Sequence, residues 1–118
     1  MQKSKLITDS YTFALEIVRE SIKIQREQRE YILSKQIIRS GTSIGANINK
    51  AFGAFSRKEF SHKLSLSYRE SLETQYWLKL LGDLNFIEGT KVDSMLSQCI
   101  SLTMMLRKAI NTTSNSVE

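Results

Sequence analysis

Few side chains in this sequence could carry out catalysis, and they are scattered along it. His62 is the only histidine and Cys99 the only cysteine among 118 residues. Zinc sites use three or four protein ligands, which a lone histidine does not supply. Cys99 falls on an apolar helical stripe, where a thiol behaves as a small hydrophobic group. The pattern around the serines does not support triad chemistry, so we expect no catalytic residue, no metal and no cofactor.

Glu70 and Glu73 form a carboxylate pair three residues apart, as in di-iron helix bundles. Those sites also need a Glu-x-x-His pair from each of two helices, and one histidine cannot provide both. The two glutamates instead interrupt an apolar stripe at helical spacing. That stripe consists of Leu66, Glu70, Glu73, Trp77, Leu80 and Leu84.

This second stripe lies opposite the stripe of the same helix that is predicted to face the core. A helix that is apolar on two sides has two surfaces to bury. We therefore predict that the second stripe meets another subunit, and that Trp77 contributes to that interface. Buried carboxylates would need partners, for which Arg39, Arg69, Ser43 or Asn47 are candidates. The alternative is that both glutamates face water.

Residues 40–60 hold three of the five glycines of the chain. They do not fit the phosphate-binding pattern G-x-x-x-x-G-K-[ST]. On a helix, Gly41 and Gly45 lie beside the apolar positions Ile37, Ile44 and Ile48. Because each glycine costs a helix about 1 kcal/mol relative to alanine, we expect a close helix contact that compensates for it. The neighbour could belong to the same chain or to another subunit, and a kink is the alternative.

The elements that carry these residues are predicted to be helices throughout. Apolar residues recur at helical spacing along the whole chain, none alternate with period two, and proline is absent. Four amphipathic helices with short joints favour an antiparallel, up-down four-helix bundle. We predict one domain over residues 1–118, with helices at about 8–26, 30–53, 57–85 and 91–111.

The joints between the helices differ in how clearly the sequence marks them. Ser56 and Glu59 form a capping box at the start of the third helix, and Phe55 and Phe60 flank it as a predicted hydrophobic staple. Gly89 is expected to form the third turn and Thr90 to cap the fourth helix. The first joint, near residues 26–30, has no glycine or proline.

The net charge of +5 is unevenly distributed along the sequence. Residues 31–69 carry seven basic side chains against one acidic side chain. Such a segment favours an acidic partner such as RNA or DNA, although a solvated helix face is the alternative. The predicted nucleic-acid-binding residues are Lys35, Arg39, Lys50, Arg57, Lys58 and Lys63. Aromatic residues do not interleave with the stripe formed by the first three, so base stacking is not predicted there.

The segments RSGTSIGANINKAF (39–52) and SRKEFSHKLSLSYRESLETQYWLKLL (56–81) resemble the four-helix bundle proteins related to 23S rRNA intervening-sequence proteins. The resemblance implies a ring of subunits, favouring a homopentamer, and no enzymatic activity. Some members of that family are encoded inside ribosomal RNA genes. A similar protein is the accessory variability determinant of diversity-generating retroelements, a basic pentamer associated with a reverse transcriptase and nucleic acid. A nucleic-acid-processing protein is therefore an implied partner.

Two functions from different classes remain open at this point. The first is a non-enzymatic, oligomeric nucleic-acid-binding or adaptor protein that uses a basic surface. The second is a protein-interaction scaffold that docks an acidic protein without nucleic acid. The start of the chain has no apolar signal region, no apolar run approaches the roughly 20 residues that span a bilayer, and the lone cysteine suits a reducing compartment. We therefore expect a cytoplasmic protein that does not contact a membrane.

Overall fold

The computed structural model describes residues 3–115, which form four helices and no strand. The helices are α1 (Lys3–Gln28), α2 (Ile32–Phe52), α3 (Arg57–Asp83) and α4 (Gly89–Asn115). Each helix packs along the next one in the chain, whereas α1 and α4 touch only sparsely. The described residues extend over 52 × 22 × 20 Å. The prediction of an all-α, four-helix fold is confirmed.

The core combines apolar side chains with small buried hydroxyl groups. Ser67 donates from Oγ to the carbonyl oxygen of Ile44 at 2.7 Å, and Thr74 donates from Oγ1 to Ser40 Oγ at 2.9 Å. Such short side chains let α2 and α3 approach each other closely while their polar atoms stay paired. The largest fully buried side chains are Phe13, Leu6, Ile17, Ile24, Ile37, Ile44, Ile48, Leu64, Leu78, Leu81, Met95 and Leu102.

Gly41 and Gly45 admit α1 of the same chain. A Cβ atom added to Gly41 would lie 2.9 Å from Cγ2 of Ile17, and one added to Gly45 would lie 3.2 Å from Oγ of Ser10. Helix α2 continues unbroken through both positions. The glycines therefore form a close contact between α1 and α2 of one chain, and they do not break the helix.

The first joint is organised by the side chain of Glu30. Arg29 follows the last residue of α1 and has a positive φ of 55°, which turns the chain away from the helix. The Glu30 carboxylate then accepts hydrogen bonds from the amides of Ile32, Leu33 and Ser34 at 2.8–2.9 Å. These amides have no partner within the helix, so the carboxylate fixes the start of α2.

At the start of α3, the predicted Ser56 cap is present but the predicted hydrophobic staple is not. Ser56 Oγ accepts from the Glu59 amide at 3.0 Å, and the Glu59 carboxylate accepts from the Phe55 amide at 3.2 Å. The predicted staple between Phe55 and Phe60 is wrong, because the Phe55 side chain is 99% exposed. Phe60 instead meets Phe52 edge to face, with ring centroids 5.3 Å apart.

The third turn depends on Asn85 rather than on Gly89. Asn85 adopts a positive φ of 65°. Its amide donates to the carbonyl oxygen of Gly82 at 3.0 Å, and the Phe86 amide donates to that of Leu81 at 2.9 Å. This is the Schellman pattern, in which asparagine sometimes takes the place of the usual glycine. The sequence prediction was wrong here, since α4 already begins at Gly89 and Thr90 lies inside its first turn.

Polar contacts hold the sparse side of the bundle, between α1 and α4. Glu16 pairs with Lys91, and the amide nitrogen of Gln98 donates to Glu16 at 2.9 Å. The hydrogen bond from Lys91 lowers the pKa of Glu16 below its ordinary value, against the opposing effect of burial. The contact therefore favours the ionised carboxylate and weakens as the pH falls through that pKa.

We expect Gly41→Ala to destabilise the protein. Overpacking a rigid core contact costs about 1–3 kcal/mol, whereas alanine returns roughly 1 kcal/mol of helix propensity. Ile17, which the new methyl group would meet, is fully buried. Urea unfolding should show a net loss of up to about 2 kcal/mol. Gly53→Ala is the matched control, because the new Cβ atom would lie 3.7 Å or more from its nearest neighbours, the carbonyl oxygens of Lys50 and Asn49. Equal or higher stability of Gly41→Ala would contradict the close α1–α2 contact.

Candidate nucleic-acid interface

The structure divides the six basic residues predicted to contact nucleic acid into two groups. Lys35 and Arg39 lie in the first half of α2, far from the α2–α3 joint. The other four surround that joint: Lys50, Arg57, Lys58 and Lys63. The stripe along α2 is therefore interrupted between Arg39 and Lys50, and the joint carries most of the predicted charge.

Arg39 is engaged by α3 of the same chain. Its Nη1 lies 3.2 Å from Glu70 Oε1, and its Nη2 donates to Glu73 Oε2. The indole nitrogen of Trp77 donates to the same Glu73 oxygen at 2.9 Å. The two glutamates of the second stripe thus have a cationic partner within the chain. Because Arg39 is already paired with them, it is less available to bind a phosphate than the other predicted basic residues of α2 are.

The apolar members of the second stripe remain partly accessible. Leu66, Trp77 and Leu80 are half-buried, and Leu84 is exposed. A largely exposed apolar ridge with i, i+4 spacing runs along the outer face of α3 and shares Leu80 and Leu84 with that stripe. This outer ridge consists of Leu72, Tyr76, Leu80 and Leu84.

The antiparallel bundle gathers basic residues at one end, which we call the basic end. It comprises residues 3–15, 43–69 and 103–115 and contains nine basic and two acidic side chains. The opposite half of the described chain contains eight basic and nine acidic side chains. The basic end carries Lys3, Lys5, Lys50, Arg57, Lys58, Lys63, Arg69, Arg107 and Lys108, with Asp9 and Glu59 as its acids.

This polarity could not be seen in the linear sequence. Residues 3–15 are close to neutral, and residues 103–115 lie in a region where acids and bases nearly balance. They join the basic α2–α3 segment only because alternate helices run in opposite directions. A cation–π contact shows that the start of α1 lies beside the end of α2: Lys3 Nζ lies 5.5 Å from the centre of the Phe52 ring.

A cleft opens at the basic end between the α2–α3 joint and the last turns of α4. Its volume is about 440 Å³. The lining residues are Ala54, Phe55, Ser56, Arg57, Phe60, Thr112 and Thr113. The cleft combines an exposed aromatic ring, hydroxyl groups and a guanidinium group at one place.

A second cleft lies at the neutral half, between α1 and α4. It has a volume of about 610 Å³. Glu20, Glu27 and Glu88 line it together with Lys23 and Lys91. Three carboxylates against two ammonium groups repel a phosphate backbone, so this cleft is a poor match for nucleic acid despite its size.

The two residues with possible reactive side chains stay apart. Burial raises the pKa of the Cys99 thiol to about 12, and its Sγ donates to the carbonyl oxygen of Ser71 at 3.3 Å. His62 is exposed on α3. Within residues 3–115 no three histidine, cysteine or acidic side chains are grouped to hold a metal ion. None of the helices in that range is long and apolar enough to cross a membrane.

A family model and a solved structure each match nearly the whole chain. The family model described as 23S rRNA-intervening sequence protein matches residues 2–108. A solved structure from Bacteroides thetaiotaomicron, a protein of unknown function from the S23 ribosomal protein family, is 38% identical with a TM-score of 0.91. The match covers 94% of this chain and 99% of that one. None of the curated proteins matches the chain.

We expect Arg39→Met to destabilise the α2–α3 contact, because it leaves two like charges unpaired on one helix face. The pair is partly exposed, so the loss should be about 1 kcal/mol. Trp77 is the only tryptophan and donates to Glu73, so its fluorescence should report the change. Lys35→Met on the same helix is the control. If both variants unfold at the same urea concentration with unchanged fluorescence, the Arg39 network does not stabilise the fold.

Proposed function

We propose that this chain, which belongs to the 23S rRNA-intervening sequence protein family, is a non-enzymatic nucleic-acid-binding protein that acts as an oligomer. The observation that supports this most strongly is the concentration of nine basic side chains at one end of the bundle. Lysine and arginine neutralise phosphates and release condensed counterions, which supplies most of the affinity of sequence-independent binding. Such contacts fix the position of a nucleic acid without identifying its bases.

The placement of these charges relative to the helix ends supports a binding role. Lys50 lies in the last turn of α2, where a cation interacts favourably with the helix dipole. Arg57 and Lys58 begin α3, and Lys3 and Lys5 lie in the first turn of α1. Cations at a helix N-terminus oppose the dipole by about 0.3–1 kcal/mol each at low salt. On a surface that only contacts water, nothing would offset this loss of helix stability. On a phosphate-binding surface, the contacts with phosphate would offset it.

The oligomer is the second part of the proposal. The outer ridge of α3 exposes Leu72, Tyr76 and Leu84, and the Tyr76 ring lies edge to face with Trp77, their centroids 5.1 Å apart. Contiguous apolar surface of this kind is typical of subunit contacts. We propose that a second copy of the chain covers it. The ring of five subunits implied by the family resemblance would repeat the basic end around one axis, which would multiply the phosphate contacts.

A scaffold that docks an acidic protein is the alternative explanation for the same charge. The two functions differ in what the basic end recovers from a cell. Capture of an acidic protein after nuclease treatment, without any affinity of the purified chain for RNA or DNA, would favour the scaffold. A nucleic-acid-processing enzyme is the partner expected if the proposed function is right.

We expect Lys50→Glu combined with Lys58→Glu to weaken binding to RNA and duplex DNA. Each lost phosphate contact should lower the slope of log K against log salt by about one, so the pair should lower it by about two. Fluorescence anisotropy across a salt titration measures both affinity and slope. Arg26→Glu with Lys79→Glu changes the net charge equally at the other end and is the matched control. Equal losses in both double variants, or no binding at low salt, would overturn the proposal.

We expect the purified protein to have a solution mass several times the 13.5 kDa of one chain. Leu72→Glu with Tyr76→Glu should reduce that mass toward a monomer, because carboxylates in a subunit interface would lose their water. Light scattering coupled to gel filtration gives the mass. Tyr11→Glu with Ile22→Glu places two charges on exposed positions of α1 as a control. If the wild-type protein is a monomer, the oligomer is refuted. If only the control variant loses mass, the subunit interface lies on α1 and not on α3.

A further inference from the structure

We propose that the basic end binds single-stranded nucleic acid and that Phe55 stacks on an unpaired base. This inference rests on the proposed function and specifies its ligand. The sequence pattern along α2 gave no support for stacking, because no aromatic residue interleaves with Lys35, Arg39 and Lys50. The fold changes that conclusion, since it leaves an aromatic ring in water where the basic residues converge.

The Phe55 side chain lies in water and not against the first turn of α3. It precedes the Ser56 cap, the position from which an apolar side chain commonly covers the first turn of a helix. Phe52 performs that packing by contacting Phe60. Burying a phenylalanine is worth about 1.5–3 kcal/mol, so its 99% exposure forgoes that stabilisation. A ring held out in this way has a free face for a ligand.

The backbone around Phe55 is fixed rather than loose. Its amide donates to the Glu59 carboxylate at 3.2 Å, and the next residue, Ser56, caps α3. The amides of Gly53 and Ala54 each donate to a carbonyl oxygen of the last turn of α2 at 3.1 Å. The backbone that carries the ring is therefore ordered before binding, which reduces the entropy that binding must oppose.

The surroundings suit a nucleotide in both available volume and charge. Beside Phe55 lies the cleft of about 440 Å³, within the range of about 300–1,000 Å³ for small-molecule sites. Arg57 lines that cleft, and Lys58 follows it on the first turn of α3. The only acid on this turn is Glu59, whose carboxylate already accepts from the backbone. Aromatic faces flanked by cations are the combination that binds single strands with little sequence preference.

Single strands fit this site better than duplexes do. The stacking face of a base is hidden inside a duplex, whereas an unpaired base presents it. The same cations would contact the phosphates of either form. Phe55 should therefore contribute to the binding of a single strand and contribute nothing to the binding of a duplex.

The test compares Phe55→Ala with the wild type by fluorescence anisotropy. The probes are a labelled single-stranded RNA of mixed sequence, the single-stranded DNA of the same sequence, and the corresponding DNA duplex. Loss of one stacked base should weaken binding of the single strands by about 5- to 150-fold and leave duplex affinity unchanged. Phe55→Trp should bind single strands as well as the wild type does. Ile32→Ala removes an apolar side chain, 77% exposed, from the other end and is the matched control.

The possible results distinguish failure of the stacking site from failure of the proposed nucleic-acid-binding function. Wild-type binding that Phe55→Ala leaves unchanged overturns the stacking site and keeps the nucleic-acid function. No wild-type binding to any probe overturns both. Equal losses for single strands and the duplex would also count against stacking. If Phe55→Ala converts the oligomer to a monomer by light scattering, Phe55 is a subunit contact and the inference fails.

Discussion

The bundle depends on the close contact between α1 and α2 at Gly41 and Gly45. Helix α1 packs extensively against α2 and only sparsely against α4, so this contact attaches the first helix to the rest. Ile17 and Ser10 approach the α2 backbone within the space that a side chain would fill. Two glycines lower the helix propensity of α2 by about 1 kcal/mol each, and the tight packing of α1 offsets that loss.

The direction of α1 then decides where its charges lie. Because α1 runs antiparallel to α2, Lys3 reaches the Phe52 ring and its end of the bundle gains further positive charge. Helices α3 and α4 extend the same pattern with Arg57, Lys58, Arg107 and Lys108. An alternating topology therefore converts an uneven sequence into a molecule with one basic end and one nearly neutral half. Charge segregation of this kind steers an anionic partner to one surface.

Much of the fold could be predicted from the sequence, and the site much less so. Helical periodicity and the absence of proline predict four helices, and a tertiary contact explains Gly41 and Gly45. The local turns were harder, because Asn85 can adopt the conformation that Gly89 was expected to supply. The Ser56 cap was predictable from local spacing, but the exposure of Phe55 was not, since Phe52 and Phe55 compete for Phe60 and only packing decides between them.

Chemical-shift mapping of the backbone amides with a short single-stranded RNA would locate the nucleic-acid surface. We expect the largest shifts at the basic end, around residues 53–60 and in the last turns of α4, and we expect them to diminish as salt is raised. Shifts concentrated in the cleft between α1 and α4, or spread along the outer ridge of α3, would contradict the assignment of the basic end as the nucleic-acid surface.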